Sequence, residues 1–188
     1  MSKKVYLVIS GPSGSGKTTV AEALLKADAS LTRLVTNTSR SPRPGEVDGR
    51  DYHFLSREEF IARRDQGEFF EWAETYGNFY GSSRRELEKL WRDHRVVLGI
   101  LDIVGVRAVR AAIPECVTVY VTPGSLDELR GRLEARPGST PEDVARRFGK
   151  AQEEMASAGR EFDHRVVNAD GKLDEAVAEL RRIIDASA

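Results

Sequence analysis

One short stretch near the amino terminus constrains the fold more than any other part of this 188-residue chain. Residues 11–19 read Gly-Pro-Ser-Gly-Ser-Gly-Lys-Thr-Thr, which has the spacing of a phosphate-binding loop: a glycine, four residues, and then Gly-Lys-Thr. An apolar run at residues 5–9 precedes the loop, and residues 18–27 have a helical pattern. This strand–loop–helix context indicates a site for nucleotide phosphates and not an ordinary Gly/Ser-rich turn.

The chemistry of such a loop assigns a role to each of its parts. Glycines let the backbone turn so that consecutive N–H groups face phosphate oxygens, and the following helix adds unpaired N–H groups and its positive dipole end. We predict that Lys17 reaches the β- and γ-phosphates and that the Thr18 hydroxyl ligates Mg²⁺. The predicted loop comprises Gly11, Pro12, Ser13, Gly14, Ser15, Gly16, Lys17, Thr18 and Thr19.

Strand-like and helix-like segments alternate along the chain, which predicts an α/β fold with a parallel sheet covered by helices. The predicted core strands are residues 5–9, 96–101, 117–121 and 165–167, and the predicted helices are residues 18–27, 125–135, 141–158 and 173–185. Two stretches break the alternation: residues 34–80 read as short β segments with turns, and residues 126–160 read as a helical hairpin interrupted at residues 136–141. We predict that both are flaps inserted into a nucleotide-binding core.

Charge and apolar content narrow the choice of partners. The chain has 29 basic and 30 acidic residues and a net charge of −1, so it lacks the broad positive field that holds nucleic acid nonspecifically. We find no signal peptide and no apolar run long enough to span a bilayer. These features predict a cytoplasmic protein without a nucleic-acid or membrane partner.

Two arginines in the first interruption, Arg40 and Arg43, stand three residues apart in a proline-stiffened turn. Guanidinium groups in such an arrangement can clamp a phosphate bidentately. On their own, however, two arginines in a turn are more typical of a solvated basic loop. Only the residues that accompany them favour the phosphate site.

Those residues make the chain resemble the guanylate kinase family over nearly its whole length. The resemblance rests on the phosphate loop together with residues 39–54, 71–74, 77–82, 102–105, 132–136, 146–147 and 163–168. It implies a P-loop NTPase core whose parallel sheet is flanked by helices, with a β-rich GMP-binding insert at about residues 34–82 and a helical lid at about residues 126–160. All three parts would belong to one domain, residues 1–188. The implied reaction transfers the γ-phosphoryl group of ATP to GMP or dGMP, giving ADP and GDP, with Mg²⁺ as the cofactor.

Family roles carry over to matching positions of this chain. The resemblance implies that the GMP phosphate is bound by Arg40, Arg43, Tyr52 and Tyr80, and that guanine is read by Thr36, Glu71, Ser82 and Asp102. It assigns Arg132 and Arg136 to ATP binding, and it assigns catalysis to Lys17, Arg136 and Arg147. The chemistry agrees, because a carboxylate such as Glu71 can accept from both N1–H and N2–H₂ of guanine, while hydroxyl groups can donate to O6.

The lid arginines also have a geometric basis. Arg132 and Arg136 stand four residues apart on one predicted helix and would share a face. Arg147, on the next predicted helix, could converge on the same anion. The neighbouring Arg146 points elsewhere around that helix, and we predict that it faces solvent.

Three positions depart from the family pattern. Ile100 stands where the family has the first aspartate of Asp-x-Asp-x-Gln-Gly, and Val104 stands in place of the glutamine. Pro137 interrupts the lid pattern after Arg136, which bears on the motion of the lid. The loss of a carboxylate at position 100 predicts weaker support for Mg²⁺.

Two other functions stay open at this point. The chain could be a catalytically silent guanylate-kinase-like module that binds protein partners, although its complete loop with Lys17 and Thr18 argues against this. It could also be a related P-loop kinase with another acceptor, such as a sugar phosphate, although the guanine-reading set argues against that. The sequence does not determine the oligomeric state or the preference for GMP over dGMP.

Overall fold

The computed structural model describes residues 3–75, 77–136, 138–157 and 161–187. The strands are β1 (Val5–Ser10), β2 (Leu31–Arg33), β3 (Asn37–Thr38), β4 (His53–Phe54), β5 (Phe69–Thr75), β6 (Asn78–Ser83), β7 (Val96–Ile100), β8 (Val117–Pro123) and β9 (His164–Asn168). The helices are α1 (Lys17–Ala27), α2 (Arg57–Asp65), α3 (Arg84–Asp93), α4 (Ile103–Ala112), α5 (Leu126–Glu134), α6 (Pro141–Ser157) and α7 (Leu173–Ser187). None of these helices is long and apolar enough to cross a membrane.

A five-stranded parallel sheet forms the core, in the order β2–β7–β1–β8–β9. Along the central strand β1, Val5, Leu7 and Ile9 pack in the apolar cluster that includes α1 and α7. The alternate residues Tyr6 and Val8 pack in a second cluster with α3 and α4 on the opposite face. Because helices cover both faces, all six residues of this strand are buried and most of them are apolar. The predicted α/β fold with a parallel sheet is confirmed.

The sheet has one more strand than we predicted. The edge strand β2 has three residues, of which only Leu31 is buried, so it shows no periodicity that sequence reasoning could use. The helices α3 and α4 were likewise not predicted. In α3, charged residues occupy most positions and only Leu87 is buried.

The strands β3, β4, β5 and β6 form a second, four-stranded sheet in the order β4–β3–β6–β5, which we call the insert sheet. The prediction of β segments and turns at residues 34–80 was incomplete, because this stretch also contains helix α2. A capping box starts that helix: the Ser56 side chain accepts from the backbone N–H of Glu59, and the Glu59 carboxylate accepts from the backbone N–H of Ser56. The helix buries Phe60 against Phe69 and Phe79 of the insert sheet.

The helices α5 and α6 form a hairpin around Leu129, Leu133, Val144 and Ala151. The predicted interruption is present, but α5 ends at Glu134, two residues before Arg136. Arg132 and Arg136 therefore do not share a helix face, contrary to our prediction. Pro137 and residues 158–160, which we included in the predicted lid, lie outside the described residues.

Candidate active site

The phosphate loop connects β1 to α1 and requires glycine at two points. Gly16 has φ of 85° and a Cβ there would clash with the side-chain amide of Asn168. Gly11 lies so close to the backbone carbonyl of Val121 that it also has no room for a Cβ. Gly16 is the N-cap of α1 and supplies no side-chain cap, so the first N–H groups of that helix are left for an anion.

Lys17 is the first residue of α1, and its side chain folds back over the loop. Its Nζ donates to the carbonyl oxygen of Gly11 at 2.7 Å and to that of Pro12 at 3.0 Å. Burial lowers the pKa of Lys17 to about 8, and the carboxylates of Glu154 and Asp102 partly oppose this effect. A bound phosphate would favour the charged ammonium group and replace the loop carbonyls as its partner.

Two side chains from other elements hold the loop from behind. The Asn168 side chain, at the end of β9, donates to the carbonyl oxygen of Ser15 at 2.9 Å. Arg132 of α5 donates to the same oxygen at 3.3 Å and to the Asn168 carbonyl oxygen at 2.8 Å, and it pairs with Asp170. Arg132 thus contacts the phosphate loop, whereas Arg136 and Arg147 line a separate cavity that is described below. We did not predict a role for Asn168. The sequence feature that could have indicated one is its position as a polar residue at the carboxyl end of a core strand.

A cavity of about 280 Å³ lies between the end of β7 and the insert sheet. It brings together all the predicted GMP-binding residues except Ser82, and it also reaches Lys17, Thr18 and Ile100. Those predicted residues are Thr36, Arg40, Arg43, Tyr52, Glu71, Tyr80 and Asp102. Ser82 is fully buried on β6, where it pairs in register with Glu71.

The burial of the Glu71 carboxylate makes this end of the cavity unusual. Its side chain is only 5% exposed, and its Oε1 atom has no hydrogen-bond partner among the residues that the structure describes. Burial raises the pKa of Glu71 to about 7, with a smaller rise from the charge of Asp102, while hydrogen bonding from Ser82 opposes the rise. Above about pH 7 this end of the cavity therefore holds a charged carboxylate whose Oε1 atom has no donor among the described residues.

A β-bulge aims Glu71 at the cavity. The register between β5 and β6 shifts between Phe69 and Glu71, so Phe70 is an extra residue on β5. Phe69 packs on α2, whereas Phe70 packs against Tyr6 of the core and Glu71 lines the cavity. The bulge therefore lets two consecutive side chains face the core, which regular alternation would forbid.

Asp102 has a structural role in addition to lining the cavity. It is the N-cap of α4, where its Oδ1 accepts from the backbone N–H of Gly105 at 2.8 Å. Its Oδ2 accepts from the Thr75 hydroxyl at 3.0 Å. Thr75, which we did not predict, thereby connects the insert sheet to the core sheet at the site.

The opposite end of the cavity is cationic. The Arg40 guanidinium donates to both carboxylate oxygens of Glu46 at 2.9 Å, and the backbone N–H of Arg43 donates to Glu46 at 2.7 Å. The rings of Tyr52 and Tyr80 meet edge to face with centroids 6.0 Å apart. Glu46, which we did not predict, holds the turn that carries both arginines.

The hairpin supplies further arginines next to this end. Arg136 and Arg147 line a cavity of about 350 Å³ together with Arg40, Arg43 and Tyr80. Burial lowers the pKa of Arg136, and the positive charge of Arg147 lowers it further. Arg146 is exposed, as we predicted, but it also lines this cavity while its guanidinium pairs with Asp143 at 2.7 Å.

The oxygen donors near the loop suit a divalent cation. Thr18 lies in the first turn of α1 and lines the same cavity as Asp102. In the described ranges, no three His, Cys, Asp or Glu side chains are grouped to hold a metal ion. Hydroxyl and carboxylate oxygens are ligands of hard cations, which can take their remaining ligands from phosphates and water. The residues present therefore fit a divalent metal that binds together with a nucleotide.

Comparisons with known proteins agree with this geometry. The family model described as guanylate kinase matches residues 3–187. A guanylate kinase of Symbiobacterium thermophilum is 46% identical over 97% of this chain and 85% of its own length, and one of Nitrosospira multiformis is 42% identical over 95% and 84%. The crystal structure of guanylate kinase from Anaplasma phagocytophilum superposes with a TM-score of 0.79 and 31% identity, covering 99% of this chain and 87% of that one. A shikimate kinase of Bacteroides thetaiotaomicron, at 16% identity and a TM-score of 0.53, shares the fold alone.

Proposed function

Since the chain belongs to the guanylate kinase family and is an ATP:GMP phosphotransferase, we propose that GMP occupies the 280 Å³ cavity and that ATP binds on the phosphate loop. Lys17 and Thr18 belong to the phosphate loop and also line this cavity. The γ-phosphoryl group then passes between the two nucleotides over a short distance, which is the arrangement that phosphoryl transfer requires.

The observation that carries the GMP assignment is the buried carboxylate of Glu71, whose Oε1 atom has no hydrogen-bond partner in the described part of the chain. It lies at one end of a cavity whose other end is cationic. The N1–H and N2–H₂ groups of guanine are donors that complete the hydrogen bonding of Glu71, and Thr36 donates to O6. Arg40, Arg43 and the two tyrosines bind the phosphate at the other end. Adenine lacks this pattern of donors and would leave Glu71 unpaired.

The donor nucleotide uses the residues around the loop. The backbone N–H groups of the loop and Lys17 bind the β- and γ-phosphates of ATP, and Arg132 contributes by holding the loop at Ser15. Arg136 and Arg147 neutralise charge on the transferring group. No protein nucleophile is required, because positioning and charge neutralisation supply most of the rate enhancement in phosphoryl transfer.

We propose Mg²⁺ as the metal of this site. Thr18 would ligate it directly, and Asp102 would support it from the end of the core sheet. When bound, the ion neutralises phosphate charge and orients the phosphates. Its other ligands are phosphate oxygens and water, as is usual for Mg²⁺ in nucleotide sites.

The domain organisation follows from these assignments. They correspond to a GMP-binding insert at about residues 34–82 and a lid at about residues 126–160 within one domain, as the family resemblance implies. The cytoplasmic location inferred from the sequence stays a prediction.

A coupled assay of ADP formation with a panel of nucleoside monophosphates tests the proposal. We expect turnover with GMP, weaker turnover with dGMP, and turnover at least about a hundredfold lower with AMP, CMP and UMP, because each unpaired buried polar group costs about 1–3 kcal/mol. AMP turnover within about tenfold of GMP turnover would contradict the assignment of Glu71 and Thr36. The same panel with a sugar phosphate tests for another acceptor.

A further inference from the structure

The hydroxyl of Tyr6 is a buried polar group that the proposed site does not use. Tyr6 lies on β1, the central strand of the core sheet, and is 2% exposed. Its hydroxyl group has no hydrogen-bond partner in the described part of the chain. A leucine or phenylalanine would fill an apolar core position without this cost, so the hydroxyl needs an explanation.

Gly99 allows the Tyr6 side chain to extend across the sheet. The strands β1 and β7 are parallel neighbours, and Tyr6 pairs in register with Val97, two residues before Gly99. A Cβ on Gly99 would clash with the Tyr6 hydroxyl, so the ring lies over the space that the glycine leaves. The ring then meets Phe70 of the insert sheet edge to face, with centroids 5.9 Å apart and an interplanar angle of 81°. Tyr6 thus extends from the core sheet to the bulged strand that carries Glu71.

Three buried polar atoms come together where this ring ends. They are the hydroxyl of Tyr6, the hydroxyl of Ser82 and the Oε1 atom of Glu71, and none makes a hydrogen bond of standard geometry among the described residues. The Ser82 hydroxyl is nevertheless close enough to interact with both Tyr6 and Glu71. Ser82 and Glu71 pair in register across β6 and β5, and the Tyr6 hydroxyl lies beside both. The Ser82 hydroxyl has one proton to donate, so the direction of its O–H bond decides which neighbour accepts a hydrogen bond from it.

We propose that Tyr6 is a positioning residue for Glu71, which rests on the proposed binding of guanine by that carboxylate. The Tyr6 O–H donates to the Ser82 oxygen, and the Ser82 O–H is thereby directed to the Glu71 carboxylate. The carboxylate is held in one position and keeps its outer lone pairs for N1–H and N2–H₂ of guanine. Tyr6 itself does not line the cavity and acts only through Ser82.

The charges around this group agree with the proposal. Burial is the main cause of the raised pKa of Tyr6, and the Glu71 charge adds to it, so Tyr6 keeps its proton and acts as a donor. Cys116 also raises the pKa of Tyr6, while Ser82 and Arg33 lower it. Around Glu71 itself, burial and Asp102 raise the pKa, and hydrogen bonding from Ser82 lowers it. A Ser82 proton directed to Glu71 therefore favours the charged carboxylate.

The test is the variant Tyr6→Phe, which keeps the ring and its contact with Phe70 but removes the hydroxyl. We expect the dissociation constant of GMP, measured by calorimetry at pH 8, to rise about fivefold, as for the loss of one neutral hydrogen bond. We also expect GMP affinity to begin falling at a higher pH than in wild type when the pH is lowered. The reason is that the variant stabilises the charged form of Glu71 less well. The KM for GMP should rise, while kcat at saturating GMP and the KM for ATP stay within about twofold of wild type.

Tyr120→Phe is the matched control. Tyr120 is a fully buried tyrosine of the neighbouring core strand β8 whose hydroxyl also lacks a partner in the described ranges, but its ring packs on Phe162, away from Glu71. We expect its GMP affinity and pH dependence to match those of wild type. A Tyr6→Phe protein with wild-type GMP affinity and pH dependence, or one that resembles the control, would overturn the proposal. A wild-type protein that does not bind GMP would instead overturn the function on which the proposal rests.

Discussion

At the scale of single residues, the burial of Glu71 opposes the stability of the fold. Glu71 is buried with one oxygen, Oε1, that has no partner among the residues described by the structure, and Asp102 adds a second negative charge nearby. Burying an ionised carboxylate without a partner costs free energy. On the proposed function, guanine would offset this cost by completing the hydrogen bonding of Glu71.

Replacing Glu71 by Gln tests this effect. The pKa of Glu71 rises from 4.5 in the unfolded chain to about 7 in the folded protein, so the folded state binds the proton more tightly. Wild-type stability should therefore fall as the pH rises from about 4.5 to about 7, and Glu71→Gln should escape this loss. We expect the variant to be more stable than wild type by on the order of 3 kcal/mol at pH 8 and equally stable near pH 4.5, as measured by urea unfolding.

The same variant should lose GMP use. We expect its KM for GMP to rise by about a hundredfold, while the KM for ATP is unchanged. Glu74→Gln, an exposed position on the same strand, should change neither the stability profile nor the KM for GMP. A fall in ATP affinity for Glu71→Gln would show that Glu71 serves the other nucleotide.

Ile100 carries a prediction about the metal. It ends β7, is half-buried, and lines the cavity together with Thr18 and Asp102. Because a carboxylate at this place would support the metal through its bound water, we expect wild type to need a high Mg²⁺ concentration and Ile100→Asp to need about tenfold less. The measurement is turnover against free Mg²⁺ for both proteins. Ile100 also packs against the core cluster. If Ile100→Asp only lowers turnover and does not reduce the Mg²⁺ requirement, the role of Ile100 is packing.

At the scale of elements, the phosphate loop depends on a strand that lies far away in the chain. The end of β9 places Asn168 on the Ser15 carbonyl oxygen, and α5 adds Arg132 to the same oxygen. Gly16 has no Cβ, which leaves room for the Asn168 amide. The loop therefore has a defined shape before any phosphate arrives, which lowers the cost of ordering it on binding.

Asn168→Ala tests this support. The variant loses the 2.9 Å hydrogen bond and leaves a buried carbonyl oxygen with Arg132 alone at 3.3 Å. We expect the KM for ATP to rise about tenfold, with the dissociation constant of GMP unchanged, because one buried hydrogen bond contributes about 1–3 kcal/mol when a partner stays unsatisfied. Val167→Ala, at the exposed neighbouring position, should leave both constants at wild-type values. Equal losses for ATP and GMP would mean that Asn168 supports the whole fold.

At the scale of the whole molecule, arginines from two separate parts of the chain face each other. Arg40 and Arg43 belong to the insert, Arg136 and Arg147 belong to the helical hairpin, and all four line one cavity of about 350 Å³. With Arg146, five arginines line this cavity, and Glu46 pairs with Arg40 while Asp143 pairs with Arg146. The positive charges that remain repel each other until an anion binds between them. Phosphate groups on both nucleotides would remove this repulsion and draw the two parts together.

We therefore expect the molecule to become more compact when both sites are filled. Small-angle scattering of the free protein and of its complex with a bisubstrate nucleotide analogue should show a smaller radius of gyration for the complex. The double variant Arg136→Ala, Arg147→Ala should bind the analogue with less compaction, because the hairpin then lacks its cations. Identical scattering profiles for the free and bound wild type would argue for a rigid molecule.

Local signals in the sequence determined a large part of this protein. The glycine spacing and Lys17 identify the phosphate loop. The apolar runs predict β1, β7 and β8, because burial on both faces makes a strand apolar along its length. The edge strand β9 was also predicted, although only Val166 and Asn168 are buried in it. The resemblance to a family supplied the cavity residues Arg40, Tyr52 and Glu71, which are far apart in the chain and share no local pattern.

Only the tertiary structure decided which side chains meet. The early end of α5 separates Arg132 from Arg136, and the bulge at Phe70 turns Glu71 toward the core. The contact of Tyr6 with this strand needs Gly99, ninety-three residues further along the chain. Periodicity within a segment records which face of that segment is buried, whereas register shifts, helix ends and the space left by a distant glycine depend on packing between segments. That packing is why the sequence could predict Glu71 as a site residue but could not predict the side chains that surround it.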